Sequence, residues 1–148
     1  MSFPFLEYFA VLSILIHRNP ILFRSLPTPL LSLASHQLSG RGRGSNTWLS
    51  PSGCLQFSLL LRPSFSQVPA SRLVFLQYLF ALAVVEACQK LLGNSGERVR
   101  LKWPNDIYAV VDEYDDDGRT KQEKKKIGGV LVNTNISEGR VDLVVGML

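Results

Sequence analysis

Val99-Arg100-Leu101-Lys102-Trp103-Pro104-Asn105-Asp106-Ile107-Tyr108-Ala109-Val110-Val111 places two strand-like runs on either side of a turn. Pro104 removes a ladder donor and Asn105-Asp106 favours a turn, so Val99 to Lys102 reads as one strand and Ile107 to Val111 as the next. A third strand is expected over Lys126 to Asn133 and a fourth over Val141 to Val145. Only a charged insertion and the turn Asn135 to Gly139 separate them. Parallel neighbours need a crossover of a dozen or more residues, usually a helix. With none here, the second and third strands are expected to pair as a long-looped hairpin in an antiparallel arrangement.

Upstream, Arg72 to Leu92 contains no Gly or Pro, and only Gln77, Glu86, Gln89 and Lys90 interrupt its apolar residues. This predicts a long helix, buried over most of its circumference and ended by Gly93-Asn94. Cys54 to Leu61 reads as a strand closed by Arg62-Pro63, and Leu30 to Gln37 as another. Between them, Ser39 to Asn46 is a glycine-rich loop and Trp48 to Gly53 carries turn chemistry. Pro20 and Leu26-Pro27-Thr28-Pro29 break any helix begun upstream. The order of elements is α+β, giving a mixed, largely antiparallel sheet with helices packed on one face. The strand beginning at Val141 runs up to Leu148, and the domain is expected to be incomplete.

The chain has 148 residues, 46% hydrophobic and 19% charged, which excludes wholesale disorder. Its net charge of +4 suits an anionic ligand without requiring nucleic acid. From Tyr8 to Gly96 seven basic residues face one acid, Glu86, while acids gather between Asp112 and Glu123, followed at once by Lys124, Lys125 and Lys126. Such a block reads as a solvated loop. Cys54 and Cys88 sit in apolar runs away from metal spacing, so reduced core thiols and no metal site are expected. Phe3 to Ile16 and Leu73 to Val85 are apolar but short of a bilayer span, so no membrane association is expected.

Three clusters carry candidate chemistry. Gly40-Arg41-Gly42-Arg43-Gly44 combines close backbone approach with guanidinium forks suited to phosphate or carboxylate. It fits neither a phosphate-binding Walker loop nor a dinucleotide fingerprint. Lys102-Trp103-Pro104-Asn105-Asp106 sets a cation, an aromatic face, an amide and a carboxylate at one strand end, the alternative being a structural turn around a buried Trp. Lys126, ahead of Ile127-Gly128-Gly129, could hold a developing oxyanion at a strand mouth or simply face solvent. With two histidines and no nucleophile elbow, no covalent enzyme intermediate is suggested.

In order, Gln37-Leu38-Ser39-Gly40-Arg41-Gly42-Arg43-Gly44, Trp48-Leu49-Ser50-Pro51, Lys102-Trp103-Pro104-Asn105-Asp106 and Lys126-Ile127-Gly128-Gly129-Val130-Leu131-Val132-Asn133 resemble the biotin protein ligase catalytic domain of the eukaryotic type. The resemblance implies residues 17–148 as a partial catalytic domain after a divergent segment 1–16, with a fold related to class II aminoacyl-tRNA synthetases. It implies ATP-dependent formation of biotinyl-5′-AMP from biotin and Mg2+-ATP, then transfer of biotin to a lysine in the biotin-acceptor domain of a biotin-dependent carboxylase. Gln37, Gly40, Arg41, Gly42, Arg43 and Gly44 resemble the loop that orders over biotin and the adenylate, with Arg43 on the phosphate. Trp48 resembles the adenine-stacking residue and Asn105 a nucleotide contact, while Lys126, with Gly128 and Gly129 beside it, resembles the lysine at the carboxyl or acyl-phosphate oxygens. Lys102 and Asp106 carry implied phosphate, metal or acceptor-lysine roles.

The chain departs from the family pattern at Val11 and Leu12, where a biotin-contacting Ser/Thr pair is usual. The alternative is therefore a catalytically inactive ligase fragment that at most binds adenylate or partner proteins. A lipoate-type ligase and an RNA-binding Arg-Gly module fit the motifs less well. The arginine-poor N-terminus points to the cytoplasm, with the mitochondrion as the other option.

Overall fold

The computed structural model describes residues 19–34, 37–41, 47–64, 69–137 and 139–147. The readings on Val11, Leu12, Gly42, Arg43 and Gly44 fall outside them. In chain order the elements are α1 (Pro20–Ser25), β1 (Leu30–Ala34), β2 (Gln37–Arg41), β3 (Thr47–Ser50), β4 (Gln56–Leu61), α2 (Leu73–Leu92), β5 (Val99–Lys102), β6 (Asp106–Tyr114), β7 (Thr120–Ser137) and β8 (Arg140–Met147). Six strands hydrogen-bond in the order β1-β4-β8-β7-β6-β5, and β2 and β3 form a separate ribbon. The pairs β1–β4, β4–β8, β5–β6 and β6–β7 are all antiparallel. The chain divides into two compact units, Met1–Leu73 with Leu131–Leu148, and Val74–Val130.

In the first unit, Pro20 starts a helix, where the sequence reading made it only a breaker. The Asn19 side chain accepts the Leu22 N–H at 3.1 Å, and proline at the first helical position sacrifices an N–H that has no intrahelical partner anyway. Phe23 from α1 packs with Leu60 of β4 and Val144 of β8, with Leu26 and Leu30 against them. Arg62 ties this corner together. Its guanidinium donates to the Phe23 carbonyl (2.7 Å), the Leu26 carbonyl (2.7 Å) and the Asp142 carboxylate (2.8 Å), and it lies 5.5 Å from the Phe23 ring centroid. Cation and carboxylate are both largely buried.

In the second unit, α2 ends as its sequence predicts, with Gly93 at φ 55° just past Leu92. Its burial differs from expectation: of its described side chains only Ala81 and Val85 are fully buried, and Phe75 and Leu79 are half exposed. Most of the apolar stretch within Phe75–Arg98 is not buried. The contact line runs along two small residues four apart, and bulkier neighbours to one side fall outside it. Cys54 and Cys88 are free and half-buried, at the margins of their packing rather than in the core.

The charged insertion is strand rather than loop. β6 and β7 stay in register from Tyr108↔Lys126 to Tyr114↔Thr120. Asp115 closes the tip, its carboxylate accepting from the N–H groups of Asp117 (3.1 Å) and Arg119 (2.7 Å), with Gly118 at φ 75°. Opposite charges replace apolar alternation along the arm: Lys125 pairs with Glu113, and Arg98 reaches Asp112 at 2.6 Å. These contacts set a pH response. Lys125 holds the Glu113 carboxyl below its ordinary value, hydrogen bonding from Arg98 does the same for Asp112, and hydrogen bonding and repulsion from Glu113 push Glu123 up.

A lowered folded-state pKa contributes stability above the ordinary value, about 4 for these groups, and loses it as pH falls through the lowered one. The raised Glu123 contributes in the opposite sense, its share being lost as pH rises through its own value. Carboxyl NMR titration is expected to show Asp112 and Glu113 midpoints below the ordinary range, Glu123 above it, and Glu113 moving up in Lys125→Met. Ordinary midpoints for all three would contradict this pairing.

Candidate functional site

The second unit builds its site on the β5–β6 turn and the adjoining length of β7. Lys102 pairs with Asp106 across the turn, whose Trp103-Pro104 bond is cis. Asn105 is buried and pinned to β7 at two points. Its side-chain amide donates to the Val130 carbonyl at 3.0 Å, and its own carbonyl accepts the Val130 N–H at 2.9 Å. Trp103, which the alternative reading of a purely structural turn would bury, is 58% exposed, its ring tilted against Tyr78 with centroids 5.2 Å apart. The buried member of this turn is the amide, because it can satisfy itself on a neighbouring strand.

One irregularity gathers the charged residues. The register runs Asp106↔Gly129 and Ile107↔Gly128, then jumps to Tyr108↔Lys126, leaving Ile127 as the extra residue of a β-bulge. Opposed residues share a face, so Asp106, Tyr108, Lys126 and Gly129 all lie on one side and Gly128 lies on the other with Ile107. Lys126 Nζ reaches Asp106 Oδ1 at 2.7 Å, and Lys102 Nζ lies 5.4 Å from the Tyr108 ring centroid. A Cβ on Gly129 would stand 3.7 Å from Asp106 Oδ1 and 3.8 Å from the Lys126 Cε. A side chain here would therefore rest directly against the ion pair at ordinary contact distance. Lys126 lies within β7 rather than at its mouth, and the pair is partly accessible on both sides.

This face can do simple electrostatic chemistry. A lysine oriented by the Asp106 carboxylate is in place before a ligand arrives, and an anionic oxygen can take over its N–H donors without a large reorganisation. Among the described residues no group of three His, Cys, Asp or Glu could hold a metal ion.

The first unit places the other motif. β2 and β3 pair Gln37↔Ser50, Gly40↔Trp48 and Arg41↔Thr47, with a bulge between Gln37 and Gly40. The first part of the glycine–arginine segment is thus strand, where a loop was expected. Trp48 is half-buried and its cross-strand partner is a glycine, so the pair leaves room beside the indole. The Ser-Pro-Ser-Gly turn begins at Ser50, the last residue of β3, and carries Gly53 at φ 93°.

Sequence reasoning missed Tyr78, Tyr108, Gln56 and the Arg62–Asp142 pair. Tyr108 was legible as the residue two after Asp106 on a strand, hence on the same face. Tyr78 and the Arg62–Asp142 pair depend on partners far along the chain, and Gln56 stands out only by its burial without a hydrogen-bond partner among the described residues.

The family model described as "Biotin/lipoate A/B protein ligase family" matches residues 10–148. A human protein named "Biotin--protein ligase" is 38% identical over 117 residues, which are 79% of this chain and 14% of that protein. The solved structure of an Aquifex aeolicus biotin protein ligase in complex with biotin and ATP superposes with a TM-score of 0.56 at 27% identity. That match covers 91% of this chain and 46% of the other. A Helicobacter pylori biotin acetyl coenzyme A carboxylase synthetase with bound biotinylated ATP gives 0.55 at 29% identity, covering 91% and 54%. The chain spans about half the length of these solved chains and about a seventh of the human relative.

Proposed function

The chain belongs to the biotin/lipoate A/B protein ligase family, and from that premise we propose that it carries the adenylate-forming site of a biotin protein ligase. In this reading a biotin carboxylate oxygen attacks the α-phosphorus of Mg-ATP. The phosphorus–oxygen bond to the β-phosphate breaks, giving biotinyl-5′-AMP and pyrophosphate. An acceptor lysine amine then attacks the acyl carbon, forming an amide and releasing AMP and a proton.

The observation that carries the proposal is the Lys126–Asp106 pair at 2.7 Å, on the same face as Gly129. Charge grows on the carboxyl and phosphoryl oxygens as the anhydride forms, and a lysine already in place stabilises it without waiting for solvent to reorganise. Lys126 is assigned to those oxygens, and Asp106 holds the ammonium until they arrive. Lys102 is assigned to a phosphate, and Asn105 is assigned both to the nucleotide and to keeping the turn against β7. Trp48 is assigned to the adenine ring, where an indole offers a broad π-face. Gln37, Gly40, Arg41, Gly42, Arg43 and Gly44 are assigned to biotin and the adenylate, with Arg43 on the phosphate. Gly128, on the opposite face of β7 from Gly129, is assigned to the strand's packing rather than to ligand.

Magnesium enters as part of the nucleotide. A hard cation bound chiefly by phosphate oxygens and water needs no protein cage. The acceptors proposed are the biotin-carrying domains of carboxylases, in keeping with the carboxylase named for the Helicobacter relative.

Calorimetric titration of the chain with non-hydrolysable biotinyl-adenylate and lipoyl-adenylate analogues tests the reading. Saturable binding of the biotinyl compound, at least tenfold tighter than the lipoyl one, is expected. Equal affinities, or preference for the lipoyl compound, would reverse the choice of substrate.

A further inference from the structure

Three cations on adjoining strands flank one aromatic ring. Tyr108 on β6 stands opposite Arg100 of β5 and Lys126 of β7, and Lys102 lies diagonally from it, opposite Asp106. Opposed residues share a face, and so do residues two apart on a strand, so all of these side chains rise from one side of the sheet. Each cation is held by a different kind of group. Arg100 donates to the Val99 carbonyl at 3.1 Å, Lys126 reaches Asp106 Oδ1 at 2.7 Å, and the Lys102 ammonium lies 5.4 Å from the Tyr108 ring centroid.

The register makes another arrangement the simpler one. Lys102 and Asp106 are direct cross-strand partners, placed to form an opposite-charge pair with the least reach, whereas Lys126 meets Asp106 from the position opposite Tyr108. Yet the carboxylate is taken by Lys126, and among the described residues Lys102 makes no salt bridge. Tyr108 supplies the difference, because its ring lies within the roughly 6 Å over which a π-face attracts an ammonium. The two holding groups are not equivalent. A carboxylate cancels the charge it binds, whereas a neutral ring orients an ammonium and leaves its charge to act on a third group.

We propose that Tyr108 is a positioning residue of this site: its ring draws Lys102 off Asp106, which reserves that carboxylate for Lys126 and leaves the Lys102 charge uncancelled for an incoming phosphate. The ring does this and not the phenol hydroxyl, so phenylalanine serves as well and an aliphatic residue does not. The phosphate part of the inference rests on the adenylate reading, while the arrangement of the two lysines in the ligand-free chain stands without it.

Proton NMR of the ligand-free chain reads that arrangement directly, because the Lys102 Hε protons, assigned by their loss in Lys102→Met, lie in the shielding zone of the ring. Upfield shifts are expected in the parent chain and in Tyr108→Phe, and ordinary positions in Tyr108→Leu. Calorimetric titration with Mg-ATP reads the consequence. Tyr108→Leu is expected to weaken binding about two- to fivefold, the range of a cation–π contact at an exposed site, and Tyr108→Phe to match the parent. In a Lys102→Met background Tyr108→Leu should add nothing, a non-additivity that a merely structural tyrosine would not show. Ordinary Lys102 shifts in the parent chain, Mg-ATP binding unchanged in Tyr108→Leu, or a loss equally large in the Lys102→Met background would each overturn the proposal. Upfield shifts that vanish in Tyr108→Leu, in a chain that binds no Mg-ATP, uphold the positioning of the lysine and overturn the adenylate reading instead.

Discussion

Lys126→Ala is expected to lower biotin-dependent pyrophosphate release by about 10²–10³-fold, the range seen when one preorganised donor to a developing oxyanion is removed. The thermal midpoint should move little. The Lys126 and Asp106 side chains are 38% and 26% exposed, and partly solvated ion pairs contribute at most about 1 kcal/mol. The same variant should bind free biotin nearly normally, because the lysine is assigned to charge that grows as the anhydride forms. Lys126→Arg keeps the charge but spreads it over a planar fork, so partial activity is expected. Pyrophosphate release unchanged in Lys126→Ala would remove this residue from the chemistry, whereas a large loss of stability would assign it to the fold.

The largest effect on stability is expected from Arg62→Met. The side chain makes three hydrogen bonds joining the end of α1 to β8, and its loss leaves the Asp142 carboxylate buried without a counter-charge. Removing one partner of a buried pair costs about 3–5 kcal/mol, against a total of about 5–15 kcal/mol for an ordinary domain. The carbonyls of Phe23 and Leu26 would also lose their donor. Denaturant unfolding of Arg62→Met beside the double variant Arg62→Met/Asp142→Leu measures this. The double variant should recover much of the loss, since replacing both charges with apolar groups removes the stranded carboxylate. A single variant within 1 kcal/mol of the parent chain would show that the pair does not hold this corner.

Local chemistry made part of the fold readable. Val99 to Lys102 and the end of α2 at Gly93 follow from a strand-forming run and from the conformational freedom of glycine beyond a helix. Pro20 was misread because proline ends one helix and begins another with equal ease, and Asn19 before it was the distinguishing signal. The arm between Val111 and Lys126 was misread because its pairing rests on charge rather than apolar alternation. The Asp117-Gly118 dipeptide, a strong hairpin signal, was the overlooked clue.

The candidate site was legible as composition but not as geometry. Lys126 and Gly129 are three apart, which in a regular strand puts them on opposite faces. The bulge at Ile127 reverses that parity and brings both to the side of Asp106, a shift that no spacing rule applied to β7 alone would show. For the same reason Gly128 and Gly129, adjacent and alike in the sequence, take different faces.

The measurement that bears most directly on the central claim is pyrophosphate release by the 148-residue chain given Mg-ATP, with and without biotin. Release that depends on biotin, saturates with it and is accompanied by stoichiometric biotinyl-5′-AMP is the predicted result. A chain that binds the biotinyl-adenylate analogue yet releases no pyrophosphate above the biotin-free rate would contradict it, and would make this protein a binder of the adenylate rather than its maker.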